Sequence, residues 1–495
     1  MLGFNGTCPG PEIRQRQNDI LRARVENGLE DGTLVHWHGI RLPNAMDGVN
    51  VLTQDVIIPN EGYEYRFPVS GSRCRNLLVS LPLPFLRTGR PRTVRPLIVE
   101  EPAPPDVDQD ITAILFDIRL DDTGQFDMEF DRADFITAGR LGNLMTTFLS
   151  SEQARLGDHI RLRLINPTPD RIFEIRIDGL TGFCVAYDGM PLPELVSLGN
   201  LKLAPAQRID IIADVTGDVI LRETVPSGGE ELGGIMLNGQ RQIRSAPIAP
   251  LPANLVPAPG EITQTADLFM QGGAGDGAHG GFGGWAFNDV SGLPNKPLIS
   301  ARRDEAVQVR MVNDTAFPHG IHLHGHHFWE TDQNGARTHL RDTTLVAPGE
   351  TMTIQTGSLG GNGSSDGFVP SEIRGSAPRT AVPKGLVSRA DGILARRPEV
   401  PLEAQGTGHP PSQAVPSANP AGSQPLQRPS ALSAVSICAI AVSDILADDA
   451  SGAVTAPKVS MRIKTRRKTR IMWRLCHLPV RGGQAIFCNL DVMPL

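Results

Sequence analysis

Cysteine is scarce in this chain. Six occur among 495 residues (Cys8, Cys74, Cys184, Cys438, Cys476 and Cys488), and no two form a C-x-x-C pair. That excludes a disulfide framework and a cysteine-based zinc site. Positive charge does not dominate either: the net charge of −7 at pH 7 argues against nucleic acid as the main partner, because phosphate binding needs a basic face. The one basic run, Arg462 to Arg470, stands apart near the C-terminus. Long apolar runs are missing as well. The most apolar late segment, Ala431 to Ala447, is rich in Ser and Ala and contains Asp444, so it is not read as a membrane span. No signal peptide is visible, since strand-like sequence begins within a few residues of Met1.

Aromatic residues contribute only 5%, whereas glycine (52) and proline (41) are abundant. That balance favours many short strands and turns over long helices. With 40% hydrophobic residues, a chain of this length can bury several domain-sized cores. The stretch 12–27 (EIRQRQNDILRARVEN) alternates polar and apolar residues, as a half-buried strand does. The same grammar returns at His159 to Asn166 (HIRLRLIN) and Ala306 to Asn313 (AVQVRMVN), each run ending in Asn. Copies spaced by roughly 145 residues imply three repeated β-sandwich domains. Pro-rich joints at Pro102–Pro105 and Pro247–Pro259 fit linkers between them. The expected divisions are therefore 1–105, 106–250 and 251–355. Beyond Thr356 the alternation is lost to Ser, Pro, Gly and Arg, so 356–495 reads as an unassigned, disordered tail. Gly272 to Gly284, a Gly-rich run containing His279, reads as a surface loop.

Two H-x-H-G motifs carry chemistry. One is His36-Trp37-His38-Gly39, and the other lies within Pro318-His319-Gly320-Ile321-His322-Leu323-His324-Gly325. Residues i and i+2 of a strand point to the same side, so each motif presents two imidazoles on one face. Imidazole pairs serve copper, zinc, iron and nickel alike, and the pair alone does not choose among them. The trailing glycine permits a tight turn beside the metal. Because the motifs fall in the first and third of three repeats, a metal site between those two domains explains them better than two independent pairs of structural histidines.

These segments resemble the multicopper oxidase family, in particular bacterial laccase-type members. Asn5 to Arg14 (NGTCPGPEIR), His36 to Val49 (HWHGIRLPNAMDGV), Leu52 to Gln54 and Pro96 to Glu101 (PLIVEE) are similar to the amino-terminal domain. Arg161 to Asn166, the Asp188-Gly189 turn and Leu203 to Asp210 (LAPAQRID) resemble the second domain, and Asn313 to Phe328 with Arg341 to Thr351 resemble the third. The resemblance implies an all-β chain of three cupredoxin-like Greek-key β-sandwich domains. It implies copper as cofactor: His36 and His322 on the type 2 ion, His38 and His324 on the type 3 pair, and His319 on the type 1 ion. Asp47 matches an acidic residue near the trinuclear cluster that assists proton delivery, although an Asp-Gly turn residue fits that position equally well. His326 and His327 read as supporting or packing residues. His159, His339 and His409 read as surface or structural. The implied activity is oxidation of phenols, aromatic amines or low-valent metal ions with reduction of dioxygen to water. A monomer with no membrane span, in the periplasm or outside the cell, is the matching expectation.

Two of the family's four histidine motifs are absent. Where G-T-Y-W-Y-H-S-H belongs, the chain has Ser72 to Leu83 (SRCRNLLVSLPL). Codons compatible with Ser72 to Pro82, read one base later, spell P-G-A-G-T-Y-W-Y-H-S-H. Arg87 to Arg95 in the same shifted frame spell E-Q-V-A-R-G-L-Y-G, another family segment. Residues 73–95 are therefore read as a frameshifted stretch closed by a compensating shift, with Cys74 an accident of frame. The fourth motif, H-C-H-x-x-x-H, has no counterpart after Thr351. Trp473 to Arg481 (WRLCHLPVR) keeps a Cys-His pair, but Leu475 and Arg481 stand where histidines belong. A blue copper centre needs a thiolate with two imidazoles, and only His319 of that trio remains. Oxidase turnover is expected to be impaired, the alternatives being a non-catalytic copper-binding protein or a metal-free remnant.

Overall fold

The computed structural model describes residues 2–357 apart from 51, 70–74, 81–93, 128, 226–228, 243–246, 255, 275–283, 292–293, 295 and 303–304, together with 366–373, 435–442 and 459–465. For 75–80 and those last three segments it describes the backbone. Among the described residues the strands form five sheets, and the one α-helix is Arg132–Ile136. The chain is all-β, as its turn-rich composition requires.

The first repeat pairs two four-stranded sheets. One runs Leu2–Phe4, Val459–Thr465, Ile20–Gly28, Gly62–Pro68, and the other Ile13–Arg16, Val94–Glu100, Arg75–Ser80, His36–His38. Leu21, Val25, Trp37, Tyr65, Phe67, Leu97 and Val99 form its core. The middle repeat is built on a nine-stranded sheet around Leu162, Leu164, Phe173, Ile211 and Leu221. The third has a six-stranded and a five-stranded sheet around Met270, Trp285, Met311, Ile321, Phe328 and Ile354. Three strands come from beyond 356: Asp366–Ile373, Val435–Val442 and Val459–Thr465. The rest of the segment expected as a tail, including His409 and the Cys476-His477 pair, lies outside the described residues, as do His279 and Cys74.

The three asparagines that end the repeated sequence pattern share one task. The Asn27 amide donates to the carbonyls of Asp31 and Ile57 at 2.9 and 2.7 Å, and its oxygen accepts from the Leu29 N–H. Asn166 donates to Arg171 and Leu203, both at 2.9 Å, and accepts from Thr168. Asn313 donates to Phe317 and Val346 at 2.7 and 3.0 Å and accepts from Thr315. Each buried amide thus satisfies backbone groups where the chain leaves its strand and turns. Three positions chosen by sequence periodicity perform the same local chemistry.

The alternation was less uniform than its grammar implies. Residues 12–27 form two strands, Ile13–Arg16 and Ile20–Gly28, broken at Asn18, whose φ is 69°. In the middle repeat every residue of His159–Ile165 is buried. There Arg161 donates to Glu101 at 2.7 Å and to Asp210 at 2.5 Å, while Arg163 grips Asp110. Polar residues alternate along that strand, but partners from the first repeat and the neighbouring strand cover them. Buried charges persist only when paired in this way.

Candidate metal centre

His36 and His38 lie on the strand His36–His38, and His319, His322 and His324 on the strand His319–His324; all five are buried. Both trailing glycines adopt positive φ, Gly39 at 84° and Gly325 at 67°. The chain therefore turns away directly after each ligand pair. The two motifs meet face to face. The His38 and His322 rings stack with centroids 3.5 Å apart, His36 and His324 stand at 3.9 Å, and His36 and His322 at 5.6 Å. Candidate ligand atoms of His36, His38 and His322 all lie within 4.8 Å of one another, as do those of His36, Asp47 and His324.

The hydrogen bonds fix which nitrogen faces this meeting point. A carbonyl or carboxylate oxygen accepts only, so an imidazole nitrogen bonded to it carries the proton. Nδ1 of His36 donates to the Asp47 carbonyl at 2.9 Å, and Nδ1 of His322 to the Asp342 carbonyl at 2.8 Å. Nδ1 of His324 donates to the Asp47 carboxylate at 2.9 Å. In all three rings the lone pair then sits on Nε2. The Nε2 atoms of His36 and His322 are buried and have no hydrogen-bond partner among the described residues. A buried imidazole with its outer nitrogen anchored and its inner lone pair unused has the form of a metal ligand.

Asp47 turns the chain and also touches two of the candidate ligands. It caps the short 3-10 helix Asn44–Met46 and precedes Gly48, whose φ is 72°, so it is a turn residue. Its buried carboxylate also reaches His324 of the third repeat and lies 3.3 Å from His36. Burial pushes this carboxyl up, but His324 and His36 beside it outweigh that and hold it well below the usual carboxylate range. Gly48 is irreplaceable at the turn, since a Cβ there would fall on the Val35 carbonyl oxygen.

His319 sits apart from this cluster. Trp285 stands edge-on to it with centroids 5.0 Å apart, and Thr315 Oγ1 lies 2.7 Å from its Nε2. Thr315 Oγ1 is also 2.7 Å from the Asn313 oxygen, to which it can only donate. His319 Nε2–H then donates to Thr315, which places the lone pair on Nδ1. The pattern-ending Asn313 thereby reaches a candidate ligand through one hydroxyl. Cys8 and Cys184, in the first and middle repeats, have thiols pushed up by burial, Cys184 to about 12. Neither belongs to the groups of candidate ligand atoms that the described residues bring together.

Among the other histidines, His326 Nδ1 meets the His324 carbonyl at 3.1 Å, and His327 Nδ1 accepts from Arg41 at 3.1 Å. His159 pairs with Asp214 at 2.8 Å, and His339 lies 3.7 Å from Glu330. Sequence reasoning missed Arg208 and Asp342 altogether. The Arg208 guanidinium, wholly buried, donates to both Asp342 oxygens at 2.9 and 2.6 Å and lies 3.5 Å from His38 Nδ1. Both residues fall within segments quoted for their family likeness, but neither belongs to an H-x-H spacing, so no motif rule singled them out.

Burial lowers His36, and lowers His38 and His322 well below the ordinary histidine value; the neighbouring imidazoles push the same way. A sign follows for stability. In the unfolded chain these rings titrate near pH 6.5, while in the folded chain they take up a proton only at a lower pH. Below that pH the unfolded state binds more protons, so stability falls as pH falls. Asp47, depressed in the fold, adds a loss in the same direction below about pH 4. The metal-free protein should therefore melt at a lower temperature at pH 5.5 than at pH 7.5. An unchanged or higher midpoint at pH 5.5 contradicts neutral, buried imidazoles.

Comparison with known proteins gives a consistent picture. Residues 1–76 and 266–360 each match a family described as multicopper oxidase. Multicopper oxidase MmcO of Mycobacterium tuberculosis is 25% identical, over 71% of this chain and 76% of its own length. Laccase-1 of Botryotinia fuckeliana is 28% identical over 72% of each protein. Of solved structures, Lac15 from a marine microbial metagenome is 37% identical with a TM-score of 0.63, covering 75% of this chain and 89% of that one. A multi-copper oxidase from Pseudomonas Thermotolerans is 27% identical with a TM-score of 0.62, covering 74% and 88%.

Proposed function

The chain belongs to the multicopper oxidase family, and from that premise we propose that it holds copper between its first and third repeats through His36, His38, His322 and His324. The function of the family type is copper-dependent oxidation of small donors, with dioxygen as the electron acceptor. Bound copper would supply one-electron redox chemistry and a place for dioxygen to be reduced. The chain's own residues anchor the imidazoles and bury them away from water. His319, supported by Thr315 and met edge-on by Trp285, is the residue we assign to the donor-side copper, and Asp47 is the acidic group of the site. The repeats are taken as 1–105, 106–250 and 251–355, and the periplasm or the extracellular space as the location. Among the described residues no helix is long and apolar enough to cross a membrane.

The observation that carries this reading is the set of three Nδ1–H donors, on His36, His322 and His324, each engaged by an oxygen. Together they leave the lone pair of each ring on Nε2, in two motifs whose rings meet across two repeats. The ligand set is incomplete relative to the family, because the sequence has neither the second histidine pair after Pro68 nor an H-C-H motif. Copper in this chain is therefore bound without a thiolate, and oxidase turnover is weak or absent. Reconstitution with copper followed by metal analysis and visible absorption tests the proposal. One or two coppers per chain without an intense thiolate charge-transfer band are expected. Near four with that band restores the full oxidase, and none reduces the chain to a metal-free remnant.

A further inference from the structure

The middle repeat carries no histidine motif, yet it reaches the imidazole cluster through the side chain of Arg208. Arg208 opens the strand Arg208–Glu223. Its two terminal nitrogens donate to the two carboxylate oxygens of Asp342 at 2.9 and 2.6 Å. They also donate to the carbonyls of Ala206 and Asp188 at 2.9 and 3.0 Å. Arg341 holds the carboxylate of Asp188 at 2.9 Å, and that carboxylate accepts from the Arg208 backbone N–H at 2.9 Å. Arg208, Asp342 and Asp188 are fully buried, and two arginines face two aspartates, so the group is electrically balanced.

Asp342 occupies the junction between the strands Arg337–Arg341 and Thr343–Val346. Its carbonyl receives the His322 Nδ1–H at 2.8 Å, with Thr343 Oγ1 3.2 Å from the same nitrogen. Next to it, Gln207 donates to the Thr343 carbonyl at 3.0 Å. On the other side the same guanidinium lies 3.5 Å from His38 Nδ1, and Asp342 Oδ1 lies 3.9 Å from it. Two imidazoles from different repeats, stacked at 3.5 Å, thus lie beside one bidentate ion pair whose arginine comes from a third, and the ring of His322 is the one that the pair anchors.

We propose that Arg208 is a positioning residue for the copper-binding imidazole of His322: it clamps Asp342 so that the Asp342 carbonyl fixes the His322 ring. A bidentate guanidinium–carboxylate pair fixes angle as well as distance, which is what a main-chain carbonyl needs in order to hold a ring in one tautomer. Groups that orient ligands in this way influence metal affinity by about 10–100-fold. The inference rests on the copper assignment above only in naming the metal; the clamp itself can be read without metal.

The test uses the full chain with Arg208→Gln and Arg208→Lys, and two readouts. The first is the 15N spectrum of the histidine-labelled, metal-free protein. In the parent, His322 should show a single tautomer protonated at Nδ1; in Arg208→Gln that signal should shift or broaden into a mixture, with partial recovery in Arg208→Lys. The second is Cu(II) affinity with the electron paramagnetic spectrum of the bound ion. At least a tenfold loss is expected in Arg208→Gln, with altered copper hyperfine splitting and a smaller loss in Arg208→Lys. A purely structural Arg208 would lower the melting temperature yet leave the His322 tautomer and the affinity of the folded fraction unchanged, and that result overturns the proposal. If Arg208→Gln does not fold, Arg208→Lys decides it on the same two readouts. A parent protein that takes up no Cu(II) but shows the expected tautomer change refutes the copper assignment and leaves the clamp standing.

Discussion

His38→Ala and His324→Ala each lose at least tenfold in copper affinity, whereas His339→Ala keeps the parent value. The contrast follows from where the three rings stand. His38 stacks on His322 and His324 lies against His36, so either truncation removes one of the four imidazoles and empties space beside a second. His339, on the strand Arg337–Arg341, is partly exposed and meets Glu330 and Tyr187, far in chemistry from any lone-pair cluster. His324→Ala has a second effect that His38→Ala lacks: it removes the donor to Asp47 and leaves a buried carboxylate short of a partner. That costs about 1–3 kcal/mol, and more if the charge is not relieved. His324→Ala should therefore lower both affinity and melting temperature, and His38→Ala mainly affinity. Metal titration and thermal melting on the same samples separate the two. Equal copper retention in all three variants removes the case for a site shared by the first and third repeats.

How much of this could be read beforehand depends on the physical range of each interaction. The H-x-H pairs were legible because strand geometry converts a spacing of two into a shared face. The repeat-ending asparagines were legible because periodicity marks them, though their task as backbone bridges emerged only with the carbonyls of Ile57, Leu203 and Val346 brought beside them. The burial of Arg161 and Arg163 was not legible. Alternation along a strand says which face a residue is on, but not that Glu101 and Asp110 will cover that face. Arg208 and Asp342 were hidden for the same reason, since a contact between positions 134 apart leaves no local trace. The Asp47 alternatives, turn residue or acidic site group, do not exclude each other, because one residue's backbone turns the chain while its carboxylate reaches across to His324.

Restoring histidine at positions 80 and 82 should raise the copper content of the chain and tighten what it already binds. The shifted reading of Ser72 to Pro82 places its two histidines at these positions. Position 82 lies outside the described residues, but the backbone at position 80 is placed. In the antiparallel ladder Ser80 stands directly opposite His36, and Leu78 opposite His38. Opposed residues in such a ladder share a face, with Cβ atoms about 4.5–5.5 Å apart. A histidine at position 80 would therefore project on the same side as His36, into the space where the unpartnered Nε2 atoms of His36 and His322 converge. An accidental out-of-frame stretch has no reason to fall in this register; a former ligand strand does. The chain carrying Ser80→His and Pro82→His, ideally with 73–79 also restored to the shifted reading, should bind at least one more copper than the parent by metal analysis. The added metal should survive dialysis, and addition of His38→Ala should remove most of the gain. If the histidines bring no additional copper, or copper that His38→Ala leaves in place, the strand Arg75–Ser80 is not the remains of a ligand strand and the frameshift reading falls with it.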